Sequence, residues 1–159
     1  MKKSELVNQI VAQLAESMGA LEVAARKSHA EATHESSKAE NKYDTRGLEA
    51  AYLAGGQARQ ARENMEAIKA YQKLALKDFG AGDPIDLGAL VEVEVGGERS
   101  LYFIGPKSGG LEIHLRGKEI TVITPQSPIG QNLMEKMAGH RWSAKLGAAT
   151  VNYRVTAVW

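Results

Sequence analysis

The chain has 159 residues, of which 43% are hydrophobic, 20 are Lys or Arg, 19 are Asp or Glu and none is cysteine. The net charge of +1 gives no general attraction for DNA or anionic lipid, and the lack of cysteine excludes disulfides, thiolate metal ligands and thiol nucleophiles. No stretch approaches the ~20 apolar residues of a membrane span, and polar residues follow Met1-Lys2-Lys3, so we expect a cytoplasmic protein without a secretory signal.

Residues 4–33 are predicted to form a long helix, and a second helical pattern begins after Gly47. In both segments apolar residues recur at steps of three and four, which places them on one helical face. The first stripe is Val7, Val11, Leu14, Met18, Leu21 and Ala25, and the second is Ala51, Ala54, Ala58, Ala61, Met65, Ile68 and Ala75, with Gln72 as its one polar member. Two such stripes predict an antiparallel helical hairpin over 1–78 with its tip at about 34–47. Gly55-Gly56 predicts a close helix crossing or a bend.

The segment between the two helical patterns is polar and carries acidic side chains. Glu35, Glu40 and Asp44 lie in it. Held on a long hairpin, such acids could be delivered into the site of another protein. Ordinary surface acids in a solvated turn are the alternative, and Asp44 is also placed to cap the second helix.

The composition changes at Phe79, where two glycines and a proline within six residues predict a linker over 79–84. Beyond it the hydrophobic period becomes two, and Ser127-Pro128 predicts a short helix with serine as its cap. The predicted strands are 90–95, 100–104, 119–124, 141–146 and 150–159. Residues 85–159 are therefore expected to form a small α+β domain with a mainly antiparallel sheet. The glycine-rich segment 105–110 lacks Walker A spacing and is predicted to be a hairpin loop.

Residues 120–134, ITVITPQSPIGQNLM, are similar to the pattern of a strand, Ser-Pro, an apolar residue, a small residue and a short helix in the bacterial Gre family of transcript-cleavage factors. The ending, 151–159, resembles the final strand of that family. His34, Lys38, Glu40-Asn41 and Tyr43 resemble its tip pattern, His-Gly-Asp-x-x-Glu-Asn-x-x-Tyr, with looser spacing. The resemblance covers the whole chain in the same domain order.

The resemblance implies an FKBP-like C-terminal domain that binds RNA polymerase, with Ser127, Pro128 and Ile129 near the contact. It also implies a hairpin that enters the secondary channel of the polymerase. There Glu35 and Glu40 would help the polymerase hold a second Mg²⁺, so that the polymerase itself cuts backtracked RNA. Asp44 is a further acid without a matching motif position. The chain would be no enzyme and would have no cofactor of its own.

Two arginines of the second helix could lie near the 3′ end of the nascent RNA in such a complex. Arg59 and Arg62, together with Lys69, could line a basic stripe that faces it. A plain solvated helix face is the alternative, because Glu63 and Glu66 are interleaved with them.

The tip departs from the family pattern, and this leaves other functions open. Ser36 stands where the family has aspartate, Glu35 is displaced by one position, and Glu40 is one residue further from His34 than the family glutamate. The departure motivates a second hypothesis, a Gre-like modulator that binds polymerase without efficient cleavage. A peptidyl-prolyl isomerase, suggested by the implied fold alone, and a coiled-coil adaptor are alternatives of other classes. We expect a monomer.

Overall fold

The computed structural model describes residues 1–33 and 46–159, with side chains for 1–31 and 54–159. The described residues divide into a helical unit, Val11–Lys69, and a sheet unit, Met1–Ile10 with Ala70–Trp159. The helices are α1 (Lys3–Thr33), α2 (Arg46–Gln72) and α3 (Pro128–Leu133). The strands are β1 (Leu90–Val95), β2 (Glu98–Ile104), β3 (Glu112–Leu115), β4 (Lys118–Ile123), β5 (Arg141–Leu146) and β6 (Ala149–Val158). The predicted α+β class is confirmed. No helix in the described ranges is long and apolar enough to cross a membrane.

The helices of the helical unit run antiparallel, as the sequence predicts. Ser28 Oγ donates to Gln57 Oε1 at 3.3 Å, and Asn64 Nδ2 donates to Ser17 Oγ at 3.3 Å. A residue later in α1 therefore contacts a residue earlier in α2, as in an antiparallel pair. The predicted tip lies at the connection between these helices, outside the described residues except for its last two positions.

The apolar stripe of α1 is correct within this unit, but that of α2 is displaced. Leu14 is buried, whereas Met65 is 41% exposed and the polar Asn64 lies in the seam beside it. Asn64 remains satisfied because its Oδ1 accepts from Gln60 Nε2 at 3.1 Å while its amide nitrogen donates to Ser17. Among residues 54–69 of α2, whose side chains are described, the buried positions are Ala54, Ala61, Asn64 and Ala67. The hydrophobic pattern misplaced the buried face of α2 because one of its buried positions, Asn64, is polar.

The predicted close crossing at Gly55-Gly56 is wrong. The α2 helix continues through both glycines. A Cβ atom built on either one would meet no atom of the described residues within 4 Å. Within the described part of the chain, the two glycines therefore admit no neighbouring backbone.

The sheet unit contains a six-stranded sheet in the order β3-β4-β2-β1-β6-β5. Only β2 and β4 pair in parallel, and the other neighbours are antiparallel, as predicted. The sequence prediction missed β3, whose four residues lie close to glycines on both sides. Gly105–Gly110 connects β2 to β3, which do not pair, so the predicted hairpin loop is wrong: β4 occupies the place beside β2.

One hydrophobic core of the sheet unit packs one sheet face against α3. It comprises Phe79, Ile85, Ala89, Val91, Val93, Ile104, Ile123, Leu133, Val155 and Val158. The predicted linker 79–84 lies within this unit, and its first residue, Phe79, is 6% exposed. Leu6 and Ile10 are also buried, and the start of α1 that carries them belongs to the sheet unit.

Lys3 connects the start of α1 to three distant segments of the sheet unit. Its buried ammonium group donates to the carbonyl oxygens of Gly88 at 3.0 Å and Trp159 at 3.1 Å, and also to that of Lys77. The same nitrogen lies 4.6 Å from the centroid of the Phe79 ring, within cation–π range. Burial lowers the pKa of Lys3, because it penalises the charged form.

Tyr71 is the largest fully buried side chain of the sheet unit, and it explains Gly105. The hydroxyl of Tyr71 donates to the carbonyl oxygen of Lys107 at 2.6 Å, and burial raises the pKa of this phenol. A Cβ atom on Gly105 would lie 3.0 Å from Tyr71 Cζ and closer still to its oxygen. Glycine is therefore needed at 105 for packing, and no phosphate-binding role has to be invoked.

Candidate functional site

The Ser-Pro segment forms a capped turn between β4 and α3. Ser127 Oγ donates to the carbonyl oxygen of Thr124 at 2.7 Å and accepts from the backbone N–H of Gly130 at 3.1 Å. Pro128 occupies the start of the helix, where its missing N–H costs nothing. This turn fixes the direction in which α3 leaves the sheet.

The small residue of this segment has a steric cause. A Cβ atom on Gly130 would lie 2.8 Å from Ser127 Oγ and well inside contact distance of the Thr124 carbonyl. Glycine is thus required at 130 chiefly by the close approach of the Thr124 carbonyl, and also by that of the Ser127 hydroxyl. Pro128 is exposed, whereas Ile129 is half-buried against the core, so Pro128 is the member of this trio best placed to contact a partner.

Arg59 and Arg62 lie on α2 in the helical unit, and both are exposed. Glu63 and Glu66 are exposed on the same helix. The surface around the two arginines is therefore mixed in charge, and contact with RNA remains a prediction.

The acids predicted to act at the tip, Glu35, Glu40 and Asp44, lie outside the described residues. Within the described ranges, no group of three or more His, Asp or Glu side chains could hold a metal ion. The shared Mg²⁺ site predicted for Glu35 and Glu40 therefore remains a prediction about a complex.

Three aromatic rings stack at the β5–β6 end of the sheet. The Trp142 ring lies 4.9 Å from Tyr153 at an interplanar angle of 8°, and 5.6 Å from His140 at 17°. Trp142 and Tyr153 also pack against the core. Trp142 thus stacks with two rings of this chain, those of Tyr153 and His140.

An arginine-lined cleft adjoins this stack, and the sequence reasoning missed it. Arg141 and Arg154 face each other across β5 and β6 and line an open cleft of about 530 Å³. Glu94, Gly96-Gly97 and Asn152 contribute to its walls. The strand pattern placed both arginines on strands, but the pairing register that brings them together is a tertiary property.

The described molecule belongs to the class of α+β proteins that join a pair of long antiparallel helices to a mainly antiparallel sheet. Three solved structures are similar to it: Gfh1 of Thermus aquaticus at 24% identity, the GreA factor homolog 1 (Gfh1) protein of Thermus thermophilus at 24%, and the transcription factor Gfh1 at 21%. The matches cover 95%, 96% and 96% of this chain and 92%, 94% and 92% of those chains, with TM-scores of 0.38, 0.36 and 0.38. No protein-family model and no curated protein matches the chain. At these identities and TM-scores, the likeness assigns no function to this chain.

Proposed function

We propose that this chain is a Gre-type transcription factor that binds RNA polymerase through its sheet unit. The observation that carries the proposal is the segment 120–134, whose residues resemble the Gre pattern. In the structure this segment is a strand, a serine-capped turn and a short helix. The close approach of the Thr124 carbonyl also gives a physical reason for the small residue of the pattern at Gly130.

The helical unit supports the second part of the proposal, in which the helix pair reaches the polymerase active site through the secondary channel. The α1 helix has 31 residues, which corresponds to about 46 Å at 1.5 Å per residue. In this proposal, residues 34–45 form the tip of a long hairpin made by α1 and α2. Glu35 and Glu40 of that tip would supply carboxylate oxygens to a Mg²⁺ ion held jointly with the polymerase. In this proposal the polymerase performs the cleavage.

The altered spacing of the tip acids favours one alternative within the same class. In a Gre-like modulator the chain would occupy the polymerase but stimulate cleavage poorly, because Ser36 supplies no carboxylate at the position of the family aspartate. Binding is common to both versions, so binding and cleavage have to be measured separately.

The test uses arrested elongation complexes of bacterial RNA polymerase with Mg²⁺ and labelled RNA. For a cleavage factor, we expect the wild-type chain to release short 3′ fragments and the Glu35→Gln, Glu40→Gln double variant to lose this activity while still binding polymerase. The matched control is Glu63→Gln, Glu66→Gln, which removes two exposed acids from α2 and should leave cleavage unchanged. Saturated binding without fragment release would favour the modulator. Absence of binding would overturn both versions.

Arg59 and Arg62 can be tested in the same assay. If they lie near the RNA, Arg59→Gln, Arg62→Gln should weaken cleavage at sub-saturating factor, whereas the control Arg26→Gln on α1 should not. Equal effects of the two changes would assign Arg59 and Arg62 to an ordinary solvated helix face.

A further inference from the structure

Two like charges oppose each other in the pairing of β5 with β6. Arg141 and Arg154 are register partners in this antiparallel pair. Directly opposed residues lie on the same face of the sheet with their Cβ atoms about 5 Å apart, and like charges in this arrangement destabilise the pairing. An anionic group close to both arginines would therefore stabilise the pairing of β5 with β6.

The nearby carboxylates of Glu92 and Glu94 pair with Arg99 and Arg154. Glu94 Oε2 accepts from Arg154 Nη2 at 3.4 Å and lies 3.9 Å from Arg99 Nε. Glu92 Oε1 accepts from Arg99 Nη1 at 3.3 Å and from Thr156 Oγ1 at 2.7 Å. The two glutamates thus serve Arg99 and Arg154, and neither pairs with Arg141.

Neither of the opposed arginines is fully satisfied within the described part of the chain. Arg154 makes one long bond to Glu94, and its Nε is buried without a hydrogen-bond partner. Among described side chains, no carboxylate lies within 4.0 Å of Arg141. Positive charge and unused donors therefore remain at this position.

The two guanidinium groups border enough space for a ligand. Arg141 and Arg154 line the cleft of about 530 Å³ and also an adjacent one of about 460 Å³. Asn152 lines the larger cleft, where its Oδ1 accepts from Ser143 Oγ at 2.7 Å. The amide nitrogen of Asn152 is left as a further donor for an anion.

We propose that Arg141 and Arg154 form a binding site for an oxyanion, a phosphate or carboxylate group, at the β5–β6 end of the sheet. The planar fork of a guanidinium matches the oxygens of either group and binds them with charge-assisted hydrogen bonds. An aromatic base is not the expected ligand, because Trp142 already stacks with Tyr153 and His140. The site lies within the sheet unit and does not depend on polymerase binding.

The test follows the Nε–H signals of the arginines by ¹⁵N–¹H NMR while phosphate, succinate or sodium chloride is added at matched ionic strength. We expect saturable, millimolar binding of phosphate, succinate or both, with shifts in the Arg154 signal and with the Arg116 signal unchanged. A response to phosphate alone would assign the site to phosphate groups, and a response to succinate would assign it to carboxylates. Identical effects of all three salts, or no saturable shift, would overturn the proposal.

Substitutions provide the second arm. Arg141→Gln should weaken anion binding about ten- to a hundredfold, the range expected for loss of a charge-assisted hydrogen bond. Lys145→Gln is the matched control, because it removes the same charge from the same strand but lines neither cleft, and it should bind as wild type. Equal weakening by both variants would show general charge attraction and reject the site. If Arg141→Gln fails to fold, Arg141→Lys decides: it keeps the charge but loses the fork, so it should bind more weakly than wild type.

Discussion

Replacing Lys3 by methionine should remove one of the main tertiary connections of the sheet unit. The buried ammonium group of Lys3 donates to three carbonyl oxygens, those of Lys77, Gly88 and Trp159. Methionine preserves most of the aliphatic stem but has no donor. Gly88 O, whose bond to Lys3 is buried, is left without this partner.

The expected loss can be worked from these three bonds. A hydrogen bond to a charged group contributes about 1.5–3 kcal/mol, so three bonds contribute about 4.5–9 kcal/mol before costs. Burial of the charge opposes this gain, as the lowered pKa of Lys3 shows, and the retained stem continues to pack. We therefore expect Lys3→Met to lower the free energy of unfolding by about 2–4 kcal/mol. For a chain of this length, that corresponds to a decrease in Tm of about 4–16 °C.

Urea unfolding and differential scanning calorimetry measure this loss, and the adjacent Lys2→Met provides the control. Lys2 is exposed, so its substitution should change the free energy of unfolding by less than about 0.5 kcal/mol. If Lys3→Met is as stable as Lys2→Met, the three bonds do not stabilise the fold and the reasoning is refuted.

Three further predictions concern the sheet unit. Burial lowers the pKa of Lys3, so the unfolded chain binds this proton more tightly than the folded chain does. The free energy of unfolding of wild type relative to Lys3→Met should therefore rise with pH between the folded-state pKa of Lys3 and 10.5. Urea unfolding at a series of pH values measures this rise. Gly105→Ala should cost about 1–3 kcal/mol through its clash with Tyr71, and less in a Tyr71→Phe background, where the closest atom is absent. Ser127→Ala should cost about 1 kcal/mol through loss of the α3 cap, seen as a lower Tm.

Each of these expectations has an outcome that contradicts it. A falling stability difference between wild type and Lys3→Met as pH rises would mean that the charged form is favoured by folding. Equal costs of Gly105→Ala with and without the Tyr71 hydroxyl would place the strain elsewhere. For the cap, Ser127→Thr should retain most of the stability, and a loss as large as that of alanine would point away from the hydroxyl.

Local patterns predicted the elements whose burial repeats regularly. The alternation in β1 and the Ser-Pro start of α3 depend on residues close in sequence, so both could be predicted from the sequence. The α2 stripe failed at Met65 because Asn64, satisfied by partners on both helices, lies in the seam instead. Strand β3 was missed because four residues give too short a repeat.

The candidate sites divide in the same way. The role of Ser127 as a cap follows from local chemistry and is confirmed. The opposed arginines, Arg141 and Arg154, depend on strand register, and the bonds of Lys3 join positions up to 156 residues apart. Neither arrangement has a signature within one stretch of sequence. The tip acids remain predictions from resemblance.

Binding of the full chain to RNA polymerase tests the central claim most directly. In fluorescence anisotropy, the labelled chain is titrated with bacterial core polymerase. We predict saturable binding that Pro128→Asp weakens at least about tenfold, since a charge would replace exposed apolar surface, and that Glu35→Gln, Glu40→Gln leaves unchanged. No saturable binding at micromolar polymerase would contradict the account.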